Sequence, residues 1–330
     1  MRWRAGSTSG KNPPTTGRNE PVNPLHRLLA GLLLLVAGVA QAQDPAQLRI
    51  GYQKASVSLV LAKEHGLLEQ RFPQTQIQWI EFPAGPQMLE ALNVGSLDLG
   101  STGDIPPIFA QAAGADLLYV GVEPPKPQAE TVVVPKDSPI HSVAELKGKR
   151  VAFQKGSSSH NLLLRLLQQA GLTLRDIQPL YLTPADARAA FESGKVDAWA
   201  IWDPWYSALL LGGNARLLAD GSEVGLSGPF YLSSREYAGA NPEFIRQVLD
   251  SLNQAEALTR SDEAGSVAIM ARVTGLSPEV IAETFKHRPS SPIRPLDDAD
   301  IAAQQRTADL FLAERILPRA VDISAARWKP

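Results

Sequence analysis

Arg49-Ile50-Gly51-Tyr52-Gln53-Lys54-Ala55-Ser56-Val57-Ser58 returns further along the chain as Arg150-Val151-Ala152-Phe153-Gln154-Lys155-Gly156-Ser157-Ser158-Ser159. Five of the ten positions are identical and four more are near-equivalent. A second pair follows in the same order: Ala91-Leu92-Asn93-Val94-Gly95-Ser96-Leu97-Asp98 and Ala190-Phe191-Glu192-Ser193-Gly194-Lys195-Val196-Asp197. The offsets are 101 and 99 residues, and Asp104 and Asp203 keep the second. Two pairs in one order at nearly one spacing mark an internal repeat.

Each copy reads as the same unit. A short apolar strand (residues 48–52 or 150–153) runs into a small polar turn. An amphipathic helix follows, over 58–70 or 160–170, with Gly66 and Gly171 as C-terminal stops. A second strand (77–82 or 177–181), a helix ending at Gly95 or Gly194, and a third strand carrying Asp98 or Asp197 complete it. Strands alternating with helices predict parallel sheets. The expected fold class is therefore α/β, with two similar doubly wound lobes. Residues 131–135, after the Pro-rich stretch from Pro124 to Pro127, and residues 230–234, after Gly228-Pro229, are expected to join the lobes and serve as the hinge. Helical patterns over 242–259, 263–273, 278–285 and 299–314 are expected to return to the first lobe. The division is then 1–42 as a signal peptide, 43–130 as the first part of lobe one, 131–230 as lobe two, and 231–330 as the rest of lobe one, with a ligand cleft between the lobes.

In open α/β sheets ligands bind beyond the carboxyl ends of the strands, where helix N-termini point. The repeat sets four such turns at the cleft: Gln53–Ser56, Ser101-Thr102-Gly103-Asp104, Gly156-Ser157-Ser158-Ser159-His160, and Trp202-Asp203-Pro204-Trp205. Unpaired backbone N–H groups at helix starts favour an anion, and Ser and Thr hydroxyls add donors without charge. The plainer reading of Ser56, Ser157, Asp104 and Asp203 is that they cap helices. Lys54 and Lys155 also recur and are the competing anion partners; their plainer reading is solvated flanking charge. Trp202 suits the wall of an apolar ligand tail, although it and Trp199 also read as core. Asp104 and Asp203 pose a conflict, since a carboxylate aimed at an anion repels it. Either they turn toward backbone N–H groups or they meet a cationic part of the ligand.

Enzyme signals are weak. The sequence has no phosphate-binding loop, dinucleotide fingerprint or G-x-S-x-G motif. His26, His65, His141, His160 and His287 are scattered without metal-ligand spacing. His160 beside three serines has poor geometry for a nucleophilic pair. No metal and no cofactor are expected. A hydrophobic content of 44% and a formal net charge of −2 over 330 residues suit a globular protein with no nucleic-acid partner.

The start of the chain differs. Arg2, Arg4, Lys11, Arg18 and Arg27 precede an apolar run over residues 28–39, and Ala40-Gln41-Ala42 forms a small-x-small cleavage signature. This is the order of a secretory signal peptide, and the run is short of the ~20 residues that span a bilayer. Its basic region is long, which fits a start codon downstream of Met1. Removing residues 1–42 leaves a net charge of about −6. With no cysteine there is neither a disulfide nor a lipid-anchoring site. The expectation is a soluble, periplasmic monomer.

The residues resemble those of the periplasmic aliphatic-sulfonate-binding proteins of ABC importers, within the taurine- and nitrate-binding group. The matching stretches are Gly51–Lys54, Glu81-Phe82-Pro83-Ala84-Gly85-Pro86-Gln87, Gly100–Pro107, Val120–Pro127, Phe153–Asn161 and Ala200-Ile201-Trp202-Asp203-Pro204. The resemblance spans nearly the whole mature chain. It implies a two-lobed type II binding-protein fold and an inner-membrane ABC permease as partner. It further implies that Gln53, Gly85, Thr102, Gly103, Asp104, Ser157, Ser158, Ser159 and His160 surround the sulfonate, with Trp202 and Asp203 near its tail. A sulfonate suits the neutral donors, since it stays singly charged and has no proton to give. Taurine, nitrate and a pyrimidine precursor are rival ligands. A pyrimidine-synthesising enzyme of the same fold is the rival class, and the export signal argues against it.

Overall fold

The computed structural model describes residues 44–289 and 291–329, so the expected signal peptide and its cleavage site lie outside the described residues. The chain opens with β1 (Gln47–Tyr52), α1 (Val57–Glu64), α2 (Leu67–Arg71), β2 (Gln76–Glu81), α3 (Gly85–Asn93), β3 (Leu99–Thr102), α4 (Ile105–Ala113) and β4 (Leu117–Val122). Next come β5 (Glu130–Pro135), β6 (Arg150–Phe153), α5 (Ser158–Gln169), β7 (Gln178–Tyr181), α6 (Pro184–Glu192), β8 (Ala198–Trp202), α7 (Trp205–Leu211) and β9 (Ala215–Asp220). Last are β10 (Phe230–Ser234), α8 (Arg235–Ala240), α9 (Pro242–Ser261), α10 (Glu263–Thr274), α11 (Pro278–Lys286) and α12 (Asp298–Ala313). Among the described residues no helix is long and apolar enough to cross a membrane.

Two five-stranded sheets form, ordered β2-β1-β3-β10-β4 and β7-β6-β8-β5-β9. In each, the three strands of the repeat are parallel, and the fourth runs antiparallel to both neighbours. That fourth strand is the one the chain makes on arriving from the other sheet. The two lobes therefore share one plan, each completed by a strand delivered across the gap. One face of the first sheet packs on α1, α9 and α10 through Leu59, Leu61, Val248 and Leu252. Its other face packs on α3, α4 and α12 through Met88, Ile105 and Phe311. The second sheet is covered likewise, by Leu163 and Leu167 of α5 and by Phe191 and Tyr206 of α6 and α7. A strand buried on both faces reads as a continuous apolar run, and all six residues of β4 are buried.

The repeat's shared arginine and aspartate have a structural explanation. The backbone N–H of Arg49 and its Nε donate to Asp98 Oδ2 at 2.7 and 3.0 Å, and its Nη2 donates to Oδ1 at 2.6 Å. Arg150 repeats the grip on Asp197 at 2.8, 3.1 and 2.7 Å. Each guanidinium also reaches the carbonyl of the helix-ending glycine, Gly95 or Gly194. The two aspartates stand one residue before β3 and β8, so each clamp fixes the register of neighbouring parallel strands at the end away from the helix starts.

Two expectations are corrected. Residues 131–135 and 230–234 are not hinge segments. They lie within β5 and β10, hydrogen-bonded on both sides, with Val132, Val133, Val134, Phe230, Tyr231 and Leu232 fully buried. The β-branched and aromatic runs signal interior strands, and the crossings are the Pro- and Gly-containing stretches before them, residues 123–129 and 221–229. Nor is the first helix continuous over 58–70. Gly66 adopts φ 64°, ends α1 and starts α2. Of the C-terminal helices, α9 and α10 pack on α1, and α12 packs on α4. α11 packs on α10 and also on α7 of the second lobe, a contact the sequence did not suggest.

Candidate ligand-binding site between the lobes

The carboxyl ends of the parallel strands in both sheets face one cavity of about 140 Å³. That is close to the ~150 Å³ of an engineered pocket that holds one benzene, so this conformation fits a small ligand. The first lobe supplies Gln53, Ser56, Gly85, Thr102, Gly103 and Asp104 to its wall, and the second supplies Glu130, Ser157, Ser158, Trp202 and Asp203. Nine of the eleven site residues expected from sequence line it. The other two, Ser159 and His160, are buried in α5 and do not line it.

Two glycines are packed tightly beside the cavity, Gly103 against the other lobe and Gly85 within its own. A Cβ on Gly103 would stand 2.9 Å from Ser158 Cβ across the gap, and one on Gly85 would stand 1.8 Å from Thr102 Oγ1. Both glycines are therefore required by close approach. The helix starts that border the cavity are open. Ser56 and Ser157 sit at the N-caps of α1 and α5, yet neither makes a side-chain cap bond, and Ala84 before α3 has no cap group to offer. Ser157 instead donates to the Gln154 carbonyl at 2.7 Å and lies 2.8 Å from Ser159 Oγ. The capping explanation fails for these turns, leaving N–H groups available to an anion.

The two aspartates behave differently. Asp203 Oδ1 accepts from the backbone N–H and the hydroxyl of Ser207, at 2.9 and 2.6 Å, while His287 Nδ1 stands 2.7 Å from Oδ2. Its charge is thus spent on α7 and on a histidine from α11, whose pKa the hydrogen bond raises. Asp104 is 1% exposed and makes no cap bond. Asn161 Nδ2 donates to its Oδ2 at 2.6 Å, from α5 in the other lobe, and Oδ1 has no partner among the described residues. Asn161 in turn accepts from Arg165, which donates to Thr307 of α12 at 2.9 Å. Burial raises the Asp104 carboxyl to about 6 against the lowering pull of Asn161 and Arg165.

His160 is a packing residue. It is 1% exposed, lies 4.9 Å from the Phe153 ring and 5.0 Å from the Phe311 ring, and its Nδ1 accepts from the Gly156 N–H. Burial pushes its pKa down to about 3, so it is neutral. With Nδ1 engaged and no serine on Nε2, it cannot serve as a base for a serine nucleophile. Lys54 pairs with Glu81 at 3.6 Å and Lys155 stands over the Tyr181 ring at 5.5 Å, and neither lines the cavity.

Sequence reasoning missed Glu123, Lys126, Glu130 and Arg288, all of which line the cavity. Lys126 pairs with Glu123, and Arg288 donates to Glu256 at 3.1 Å and approaches Glu123 at 3.7 Å. Tyr231 donates to Glu123 at 2.6 Å. Burial alone would raise the Glu123 carboxyl, but the two cations outweigh it and hold its pKa below the ordinary value. These cations are already matched by buried acids, so they present little net charge to a ligand. Glu130 has no such partner. Burial, with Asp104 and Asp203 nearby, raises it to about 8 against the Ser158 hydrogen bond and Lys126, and its buried Oε2 has no partner among the described residues.

Residues 75–263 match the family model described as NMT1/THI5 like. An aliphatic sulfonates-binding protein of Escherichia coli (strain K12) is 60% identical over 93% of this chain and 97% of its own length. The chain belongs to the aliphatic-sulfonate-binding protein family. Two solved structures share the fold closely. The alkanesulfonate-binding protein from Xanthomonas axonopodis pv. citri bound to MOPS is 64% identical, covers 87% of this chain and 99% of its own, and superposes with a TM-score of 0.86. The periplasmic aliphatic sulphonate binding protein from Escherichia coli is 62% identical over 87% and 93% of the two chains, with a TM-score of 0.82. All three are named as binding proteins, and the two-lobed periplasmic binding-protein fold of the family is the fold described above.

Proposed function

We propose that the protein captures an aliphatic sulfonate in the cleft between its lobes and delivers it unchanged to an ABC permease for sulfur uptake. The observation that carries this reading is the set of uncapped helix starts and hydroxyls from both lobes around one small cavity. A sulfonate needs several hydrogen bonds and no proton acceptor, which is what neutral donors at helix ends supply. On this reading Thr102, Gly103 and Ser158 hold the sulfonate with help from Gln53 and Gly85, Ser157 shapes the turn through its bonds to Gln154, and Trp202 packs on the alkyl tail. Residues 1–42 direct export and are removed after Ala42, and the mature chain acts as a periplasmic monomer. The lobes close about residues 123–129 and 221–229, because among the described residues these stretches carry the chain from one sheet to the other without belonging to either.

A thermal-shift panel tests the reading. Alkanesulfonates should raise the melting temperature, since a ligand at a hundred times its Kd adds about 2.7 kcal/mol to the native state. Nitrate and sulfate should do much less. Stabilisation by nitrate or sulfate with none by any sulfonate would overturn the assignment. Small-angle scattering should show compaction on saturation, and an unchanged radius would remove the hinge.

A further inference from the structure

His287 and Arg288 are neighbours in the chain but hold opposite lobes. Arg288 donates to Glu256 of α9 at 3.1 Å and approaches Glu123, just after β4, at 3.7 Å, so the chain leaving α11 is fixed to the first lobe. His287 turns the other way. Its Nδ1 stands 2.7 Å from Oδ2 of Asp203, just after β8, and 3.4 Å from Ser207 Oγ, and its ring lies 5.3 Å from that of Tyr206 in α7. One turn earlier, Thr284 of α11 lines the cavity. The end of α11 is thus both a wall of the cleft and a bridge across it, separate from the two crossings that join the sheets. Opening the lobes about those crossings pulls the imidazole away from Asp203, because its backbone stays with the first lobe.

Taking the sulfonate capture proposed above as the event that closes the lobes, we infer that His287 is a proton-dependent latch, a positioning residue that grips Asp203 as an imidazolium only in the closed cleft. The surroundings suit the charged ring. Acids stand at both of its nitrogens, Asp203 at Nδ1 and Glu283 with Oε1 3.7 Å from Nε2, and only an imidazolium has an N–H to offer on each. The Asp203 and His287 side chains are 4% and 15% exposed, which spares the pair from screening by salt. The other charges nearby are spoken for. Lys286 donates to Glu283 at 2.6 Å, Arg272 of α10 is turned to Glu64 of α1, and burial keeps the Tyr206 hydroxyl protonated. The Asp203 hydrogen bond outweighs burial and the Lys286 charge and holds the His287 pKa above its ordinary value.

The pH dependence has a definite sign. With the lobes apart, the imidazole returns to its ordinary value of about 6.5, below the raised value of the closed cleft. The latch is therefore fully engaged below about 6.5 and fades as pH rises through the closed-state value. Closure takes up a proton in that window, and sulfonate affinity falls as pH rises across it. Asp104 and Glu130 line the same cavity, with pKa values of about 6 and about 8, and their ionisation weakens an anion's binding in the same direction. Affinity alone does not separate the three groups, so the imidazole is the quantity to read.

The test is an NMR titration of the histidine rings from about pH 5.5 to 9, in phosphate and Tris buffers free of sulfonates, with and without saturating butane-1-sulfonate. His287→Gln identifies the His287 signal and leaves a neutral donor in its place. The His287 midpoint should rise by about one pH unit when the sulfonate binds, which corresponds to a tenfold change in affinity through the latch. In calorimetry His287→Gln should bind butane-1-sulfonate about fivefold to tenfold more weakly than the wild type at pH 6, and within about twofold of it at pH 9. A midpoint that stays the same or falls on binding, or wild-type affinity in His287→Gln at pH 6, overturns the latch while leaving sulfonate capture intact. Failure of butane-1-sulfonate to bind the wild type overturns sulfonate capture itself, and the latch with it. The midpoint decides the matter even if His287→Gln folds poorly. His65→Gln and His141→Gln then assign the remaining signals, and His160, with a pKa of about 3, does not titrate in this range.

Discussion

Arg49 and Arg150 grip Asp98 and Asp197 through the same atoms, yet four residues further on the two copies of the repeat part company. Gln53 lines the cleft, whereas Gln154 does not and its buried Oε1 has no partner among the described residues. Lys54 pairs with an acid and Lys155 stands over an aromatic ring. At the next turn, Asp104 keeps a buried carboxyl oxygen without a partner among the described residues, while Asp203 is engaged by Ser207 and His287. The clamp ends solve a problem common to both lobes, the registration of parallel strands. On the proposed reading the cleft ends face a sulfonate head and an alkyl tail, and a symmetric pair of turns would serve two such unlike ends poorly.

The comparison can be broken most severely at the point of approach. Gly103→Val places a side chain against Ser158 and should hold the lobes apart, weakening sulfonate binding by about 2–3 kcal/mol, or roughly thirtyfold to a hundred-and-fiftyfold. Calorimetry should show this with little change in the melting temperature of the free protein. The clamps come next. Asp98 is 5% exposed and accepts three bonds from Arg49, so Asp98→Ala should cost about 2 kcal/mol in urea denaturation. Asp197→Ala, at a more exposed clamp, should cost less. Neither should alter sulfonate affinity; a large affinity loss in either would mean that the repeat is functional at both ends. The smallest effect belongs to the recurring lysines. Lys54→Ala and Lys155→Ala should each change the Kd by less than about twofold, since both lie outside the cavity.

The two-lobed fold was legible in sequence because strand, glycine stop and aspartate recur in one order, and strands buried on both faces read as apolar runs. The Ser- and Thr-rich turns were legible because the repeat puts them at helix starts. The hinge was misplaced because β-branched runs were read as connectors, although the breaks lie in the Pro- and Gly-containing segments before them. His160 follows the serine turn, but its ring points to Phe153 and Phe311, a direction that only the packing of α5 against α12 determines. Glu123, Lys126, Glu130 and Arg288 were missed for a related reason. They have no counterpart in the repeat, and in sequence a scattered charge reads as solvated. The return of α9 and α11 and the crossing at residues 123–129 gather Glu123, Lys126 and Arg288 into one buried network, with Glu130 beside it at the start of β5.

The central claim is that neutral donors from both copies of the repeat hold the anion together. Its most direct test is the Kd of butane-1-sulfonate for Thr102→Ala and Ser158→Ala, one hydroxyl from each lobe, measured by calorimetry at fixed salt. Losing a hydrogen bond to a charged group costs about 1.5–3 kcal/mol, so each variant should bind roughly tenfold to a hundredfold more weakly. Wild-type affinity in both variants would contradict the account, and a loss confined to one lobe would place the anion on that lobe alone.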